Sequence, residues 1–257
     1  MKNKRIQWIE LAQIISMFLV VFRHSIPNFS QVGVVINAMG QTVHFPALAV
    51  FFMVSGFFSV KWKNRGYKTF IKDRALRLLA PWIFVSLLML IPKAIIVSSD
   101  ARIQMLSPIS LLLSIVDPHG SGICPHLWFL PTLFLLTLSV AILDKAIKNR
   151  IAIVVILAGL FTVALLDVNL TTIGCLNELR MYAIWFVLGY MLSTWVDTKR
   201  LAPSMRVSII AGVSFLTSVI LIIVFDRIPF GRMLLSIAGS VFILSFSLAS
   251  SDHLKKC

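Results

Sequence analysis

Apolar stretches of about 17 to 25 residues recur along this chain, each long enough to cross a bilayer as a helix. Composition agrees: 58% of the 257 residues are hydrophobic and only 13% charged, with a mean hydropathy of +0.93. A soluble domain needs more polar surface than this. The chain therefore reads as all-α, a polytopic transmembrane helical bundle. The pattern predicts about eight spans, at 8–28, 43–60, 79–98, 127–143, 151–167, 181–196, 207–225 and 233–250. Residues 103–116 are apolar but short and broken by Pro108, which suits a re-entrant or interfacial piece. The first run carries Glu10, Arg23 and His24 with no small-residue cleavage site after it, so it reads as a span and not a cleaved leader. With no low-complexity linker and no clear internal repeat, 1–257 reads as a single integral-membrane domain.

Lysine and arginine fix the expected orientation. One alternating set of segments holds Lys2, Lys4, Arg5, the dense run from Lys61 to Arg77, Lys145, Lys148, Arg150, Lys199, Arg200, Arg206, Lys255 and Lys256. The other set holds only Arg102, Arg180, Arg227 and Arg232. That asymmetry puts both termini in the cytoplasm. The formal charge of +14 does not point to nucleic acid, because it lies between apolar spans and not on a soluble face. The basic run at 61–77, with Trp62 and Tyr67, suits anionic headgroups of the lipid bilayer. Cys124, Cys175 and Cys257 lack metal-site spacing, and no metal is expected. Cys124 and Cys175 fall in loops on the same side, which allows a disulfide or two unpaired thiols.

His24 is the leading candidate for chemistry. An ionisable ring in an apolar helix is expensive, and imidazole is suited to moving a proton near neutral pH. At about 100° per residue, Gln13 and His24 lie within about 20° of one helix face, about 16 Å apart along the axis. Glu10 lies near the same stripe, so a polar track leads toward His24. A histidine held only for helix packing explains the residue equally well. Ser55-Gly56, inside Phe51-Phe52-Met53-Val54-Ser55-Gly56-Phe57-Phe58, permits close backbone approach and leaves one hydroxyl. Arg74 and Arg77, spaced i, i+3, share a helix face and suit a phosphate-rich ligand. His126, in His126-Leu127-Trp128-Phe129, opens the fourth span at the outer mouth, where Trp128 suits an interfacial belt. Lys93, Glu178 and Arg180 are further polar positions without a role.

The order of these pieces resembles the acyltransferase-3 family of membrane acyltransferases, which includes bacterial surface-polysaccharide O-acetyltransferases. Trp8-Ile9-Glu10-Leu11 leads to His24-Ser25, and Phe51 to Phe57 follows. Then come Arg74-Ala75-Leu76-Arg77-Leu78-Leu79-Ala80-Pro81-Trp82, His126-Leu127-Trp128-Phe129 and Trp185-Phe186-Val187-Leu188-Gly189-Tyr190. The resemblance covers about residues 5 to 195. It implies that His24 is the essential histidine and that Arg74 and Arg77 are the cytoplasmic pair engaging acyl-CoA. It further implies transfer of an acyl group, usually acetyl, from acyl-CoA to a carbohydrate hydroxyl at or beyond the outer face of a bacterial cytoplasmic membrane. Two departures stand out. Gln13 occupies the place of a family arginine eleven positions before the histidine, and Glu10 that of an aspartate. Glutamine keeps hydrogen bonding but loses the fixed charge. Family members are also commonly longer, which marks this chain as short or divergent.

On this reading His24 acts as general base on the acceptor hydroxyl, or as a transient acyl carrier. Arg74, Arg77 and Gln13 bind the donor, while Glu10, Ser55 and His126 support the site. Acyl-CoA is a co-substrate and no cofactor is bound. Two other functions fit the same residues. One is a transporter or flippase for a glycan or anionic solute, although no broken-helix pair or inverted repeat favours it. The other is a catalytically inactive member of the family.

Overall fold

The computed structural model describes residues 7–25, 34–60, 66–96, 107–119, 124–146, 173–195, 205–224 and 231–254, together with positions 152, 155, 156, 159, 160, 162 and 163. Every regular element among these is helical. The principal helices are α1 (Gln7–Ser25), α2 (Val34–Ser59), α3 (Tyr67–Ile96), α4 (Pro108–Val116), α5 (Phe129–Ala146), α6 (Leu176–Trp195), α7 (Met205–Val224) and α8 (Gly231–Leu254). Short 3₁₀ turns at Pro125–Leu127 and Ile173–Cys175 lead into α5 and α6.

Five described helices are long and apolar enough to cross a membrane: Gln7–Ser25, Thr42–Ser59, Tyr67–Pro92, Pro125–Leu143 and Met233–Ser250. Four coincide with the expected spans at 8–28, 43–60, 127–143 and 233–250; the fifth overlaps 79–98 but starts at Tyr67, twelve residues earlier and inside the basic run. The expected spans at 181–196 and 207–225 are helical as α6 and α7 but do not join that set. The one at 151–167 lies largely outside the described residues. Pro108 opens α4, where a first-turn proline costs no helical hydrogen bond. Nine residues rise only about 14 Å, too little to cross a bilayer.

The chain divides into two compact units, Met1–Phe58 with Leu188–Cys257, and Ser59–Val187. In the first, α8 packs against both α1 and α7. One face of α1, made by Trp8, Ile9 and Ala12, joins Val50, Val54 and Phe57 of α2 and Ile243 of α8 in a buried cluster. Ser16 extends that face, and its hydroxyl is satisfied by donating to the Ala12 carbonyl at 2.8 Å. Pro46 lies within α2 and is fully buried, and a Cβ on Gly239 of α8 would come within 2.4 Å of its ring. An apolar cavity of about 390 Å³ opens beside it, among Ile15, Leu19, Pro46, Phe215 and Phe242.

In the second unit α3 packs against α5. Phe70, Trp82, Leu133, Leu136 and Val140 are buried, whereas Phe84, Leu87, Ile91, Ile95 and Ile96 of α3 point outward. Large apolar side chains turned outward along a whole helix are what a lipid solvent accepts and water does not.

Candidate active site

In the first unit, Gln13 and His24 are both exposed on α1, flanking the buried face of Trp8, Ile9, Ala12 and Ser16, and Glu10 is half-buried. His24 meets a partner that sequence reasoning passed over. The ring of His44, from α2, stands edge-on to it, with centroids 6.2 Å apart and planes at 89°. Nδ1 of His44 is buried without a hydrogen-bond partner among the described residues. The available signal was a second ionisable ring at the head of an apolar run. Ser55 lies further along α2. Its hydroxyl donates to the Phe51 carbonyl at 2.9 Å, so the helix itself uses it.

In the second unit, Arg74 and Arg77 occupy the early turns of α3 and share a face. The Arg74 guanidinium carbon lies 5.2 Å from the centroid of the buried Phe70 ring, a cation–π contact that preorganises it. Arg77 is exposed. His24 and the two arginines thus belong to different units. His126 is exposed in the turn before α5.

A second cluster in this unit involves residues that sequence reasoning left without a role, or missed. Glu178, in the first turn of α6, is buried, and its Oε1 accepts a hydrogen bond from Nδ1 of His119. The His119 ring stacks on Trp128 at 5.5 Å, and Trp128 stacks on Tyr182 at 5.4 Å. Arg180, although buried close by, is taken up elsewhere. It donates to the Asn177 side-chain oxygen at 3.2 and 3.3 Å and to the Val163 carbonyl at 3.3 Å. The Glu178 hydrogen bond lifts the His119 imidazole above its ordinary range, burial opposes this, and the Glu178 and Asp117 charges add to it. Burial likewise pushes the Cys175 thiol up. Cys124 and Cys175 are both free thiols.

The sequence model of the acyltransferase-3 family, described as an acyltransferase domain, matches residues 6–255. The chain belongs to the acyltransferase-3 family. Curated proteins and solved structures gave no match. The family match runs through both units and extends beyond the stretch over which the motifs alone carry the resemblance. For this acyltransferase-3 chain, outward-facing apolar helices and family membership together make a membrane protein of the acyltransferase class.

Proposed function

We propose that the protein is a membrane O-acyltransferase that moves an acyl group, acetyl foremost, from cytoplasmic acyl-CoA to a hydroxyl of a cell-surface or lipid-linked carbohydrate. The observation that carries this reading is the family match over residues 6–255, which takes in His24, Arg74 and Arg77 together. His24 accepts the proton of the acceptor hydroxyl as its oxygen attacks the thioester carbonyl. The carbon–sulfur bond then breaks, and the departing thiolate takes a proton to become free CoA. General-base help of this kind contributes about 10²- to 10⁴-fold. The open face of α1 supports the role, because a base must be reachable by substrate.

Arg74 and Arg77 hold the CoA phosphates, with two guanidinium groups on one face providing paired, charge-assisted donors. The excess of lysine and arginine on their side of the membrane supports placing that side in the cytoplasm of a bacterial cell. Gln13 and Glu10 line the approach to His24, and His126 stands at the outer mouth. The test is transfer of label from [¹⁴C]acetyl-CoA to surface glycan in membranes carrying the wild type or His24→Ala. Transfer is expected with the wild type and lost in the variant. Equal labelling by both would remove His24 from the mechanism.

A further inference from the structure

Burying a carboxylate is costly unless it is paired, and a purely structural site pairs it as fully as it can. Glu178 is not treated that way. Its side chain is only 3% exposed, yet its Oε2 has no hydrogen-bond partner among the described residues. The buried arginine two positions on, which would neutralise it, is engaged by Asn177 and Val163 instead. Its partner is His119, whose side chain is 45% exposed. A carboxylate only accepts, so Nδ1 carries the proton of that bond, and Nε2, on the opposite side of the ring, is the nitrogen left for a ligand. The ring is held twice, by Glu178 at its edge and by Trp128 on its face. The platform is backed in turn by Tyr182, whose ring stacks on Trp128. An imidazole fixed by a buried carboxylate with one edge open is the arrangement of a residue that hydrogen-bonds a ligand hydroxyl.

We propose that His119 and Glu178 form a sugar-binding subsite for the acceptor, with His119 Nε2 touching a non-reacting hydroxyl, Glu178 as its positioning residue and the His119–Trp128 stack as the platform. This rests on the acyltransferase reading and names the residues that the acceptor meets. The chemistry selects a sugar. Imidazole accepts from or donates to an O–H in either protonation state, and flat rings suit the C–H face of a pyranose. An amine would seek the carboxylate itself, which lies behind His119. A lipid tail would seek an apolar lining, which an imidazole–carboxylate pair is not.

The experiment uses full-length protein in membrane vesicles, with [¹⁴C]acetyl-CoA as donor and the host's purified surface polysaccharide as acceptor, each titrated at saturating levels of the other. His119→Gln is expected to raise the half-saturating acceptor concentration at least tenfold and to leave that of acetyl-CoA unchanged, whereas Arg77→Ala does the reverse. Glu178→Gln preserves an acceptor for Nδ1 but removes the charge. Of the groups facing His119, only Asp117 then still favours the imidazolium, so the pH at which acceptor saturation changes moves downward. A merely structural pair would not produce that movement. Transfer by the wild type with unchanged acceptor saturation in both variants overturns the subsite and leaves the acyltransferase standing. Absence of transfer by the wild type overturns both. If His119→Gln does not fold, Glu178→Gln decides alone by its acceptor saturation and pH profile.

Discussion

Gly189→Ala tests how two of the sequence motifs meet. A Cβ at Gly189 of α6 would lie 1.8 Å from the Met53 carbonyl oxygen, 2.6 Å from its carbon and 2.9 Å from its Cα. All three atoms are backbone in α2, so no side chain can swing aside. The separation must grow from 1.8 Å to at least 3.0 Å before the methyl is tolerated. Phe52 and Val50, both fully buried, lie on the same stretch of α2 and lose contacts as the helices part. In a bilayer, lipid is as apolar as the side chains, so close packing carries much of the association and the loss is not offset by burial elsewhere. Overpacking costs about 1–3 kcal/mol when side chains can adjust, and a backbone obstacle places this site at about 3 kcal/mol. For a chain of this size that lowers the apparent Tm by about 6–12 °C. Thermal unfolding of detergent-solubilised protein, followed by fluorescence-detected size exclusion, measures it. The matched control is Gly212→Ala, where the neighbour is the Phe242 ring edge at 3.3 Å and yields cheaply. A Gly189→Ala protein melting within a degree or two of the wild type would refute the close approach.

Four further outcomes are expected. His24→Ala abolishes acetyl transfer but moves Tm little, because the side chain sits on the exposed face of α1; a large Tm loss would make it a packing histidine. Ser55→Ala changes stability by about 1 kcal/mol or less and keeps activity, since its hydroxyl serves only the helix; a collapse in turnover would show otherwise. Arg77→Ala raises the half-saturating acetyl-CoA concentration by about 10- to 100-fold, the value of one or two charge-assisted bonds, read in the vesicle assay. The His119–Glu178 pair makes stability pH-dependent. His119 is raised in the folded state, so its contribution is full below the ordinary imidazole value and fades as pH rises through the lifted one. Melting curves across that range should fall more steeply for the wild type than for His119→Gln.

Much of the helical architecture was legible because apolar length is a local property. The runs at 8–28, 43–60, 127–143 and 233–250 each need only their own residues to read as spans, and each is a helix. The face shared by Gln13 and His24 was legible for the same reason, since helix periodicity alone sets it.

The rest required tertiary structure. The close approach of Gly189 to the Met53 backbone joins positions 136 apart in the chain. His24 and His44, and still more His119 and Glu178, meet only because separate helices carry them together. Glu178 and Arg180, two positions apart, look like natural partners in the sequence, yet the fold sends the arginine to Asn177 and Val163 and the carboxylate to a histidine fifty-nine positions away. The sequence by itself determined a helical membrane chain of the acyltransferase-3 family, because hydropathy and motif order are written along one dimension. Only the tertiary structure decided which polar groups pair, because pairing depends on which helix faces and turns come together in space.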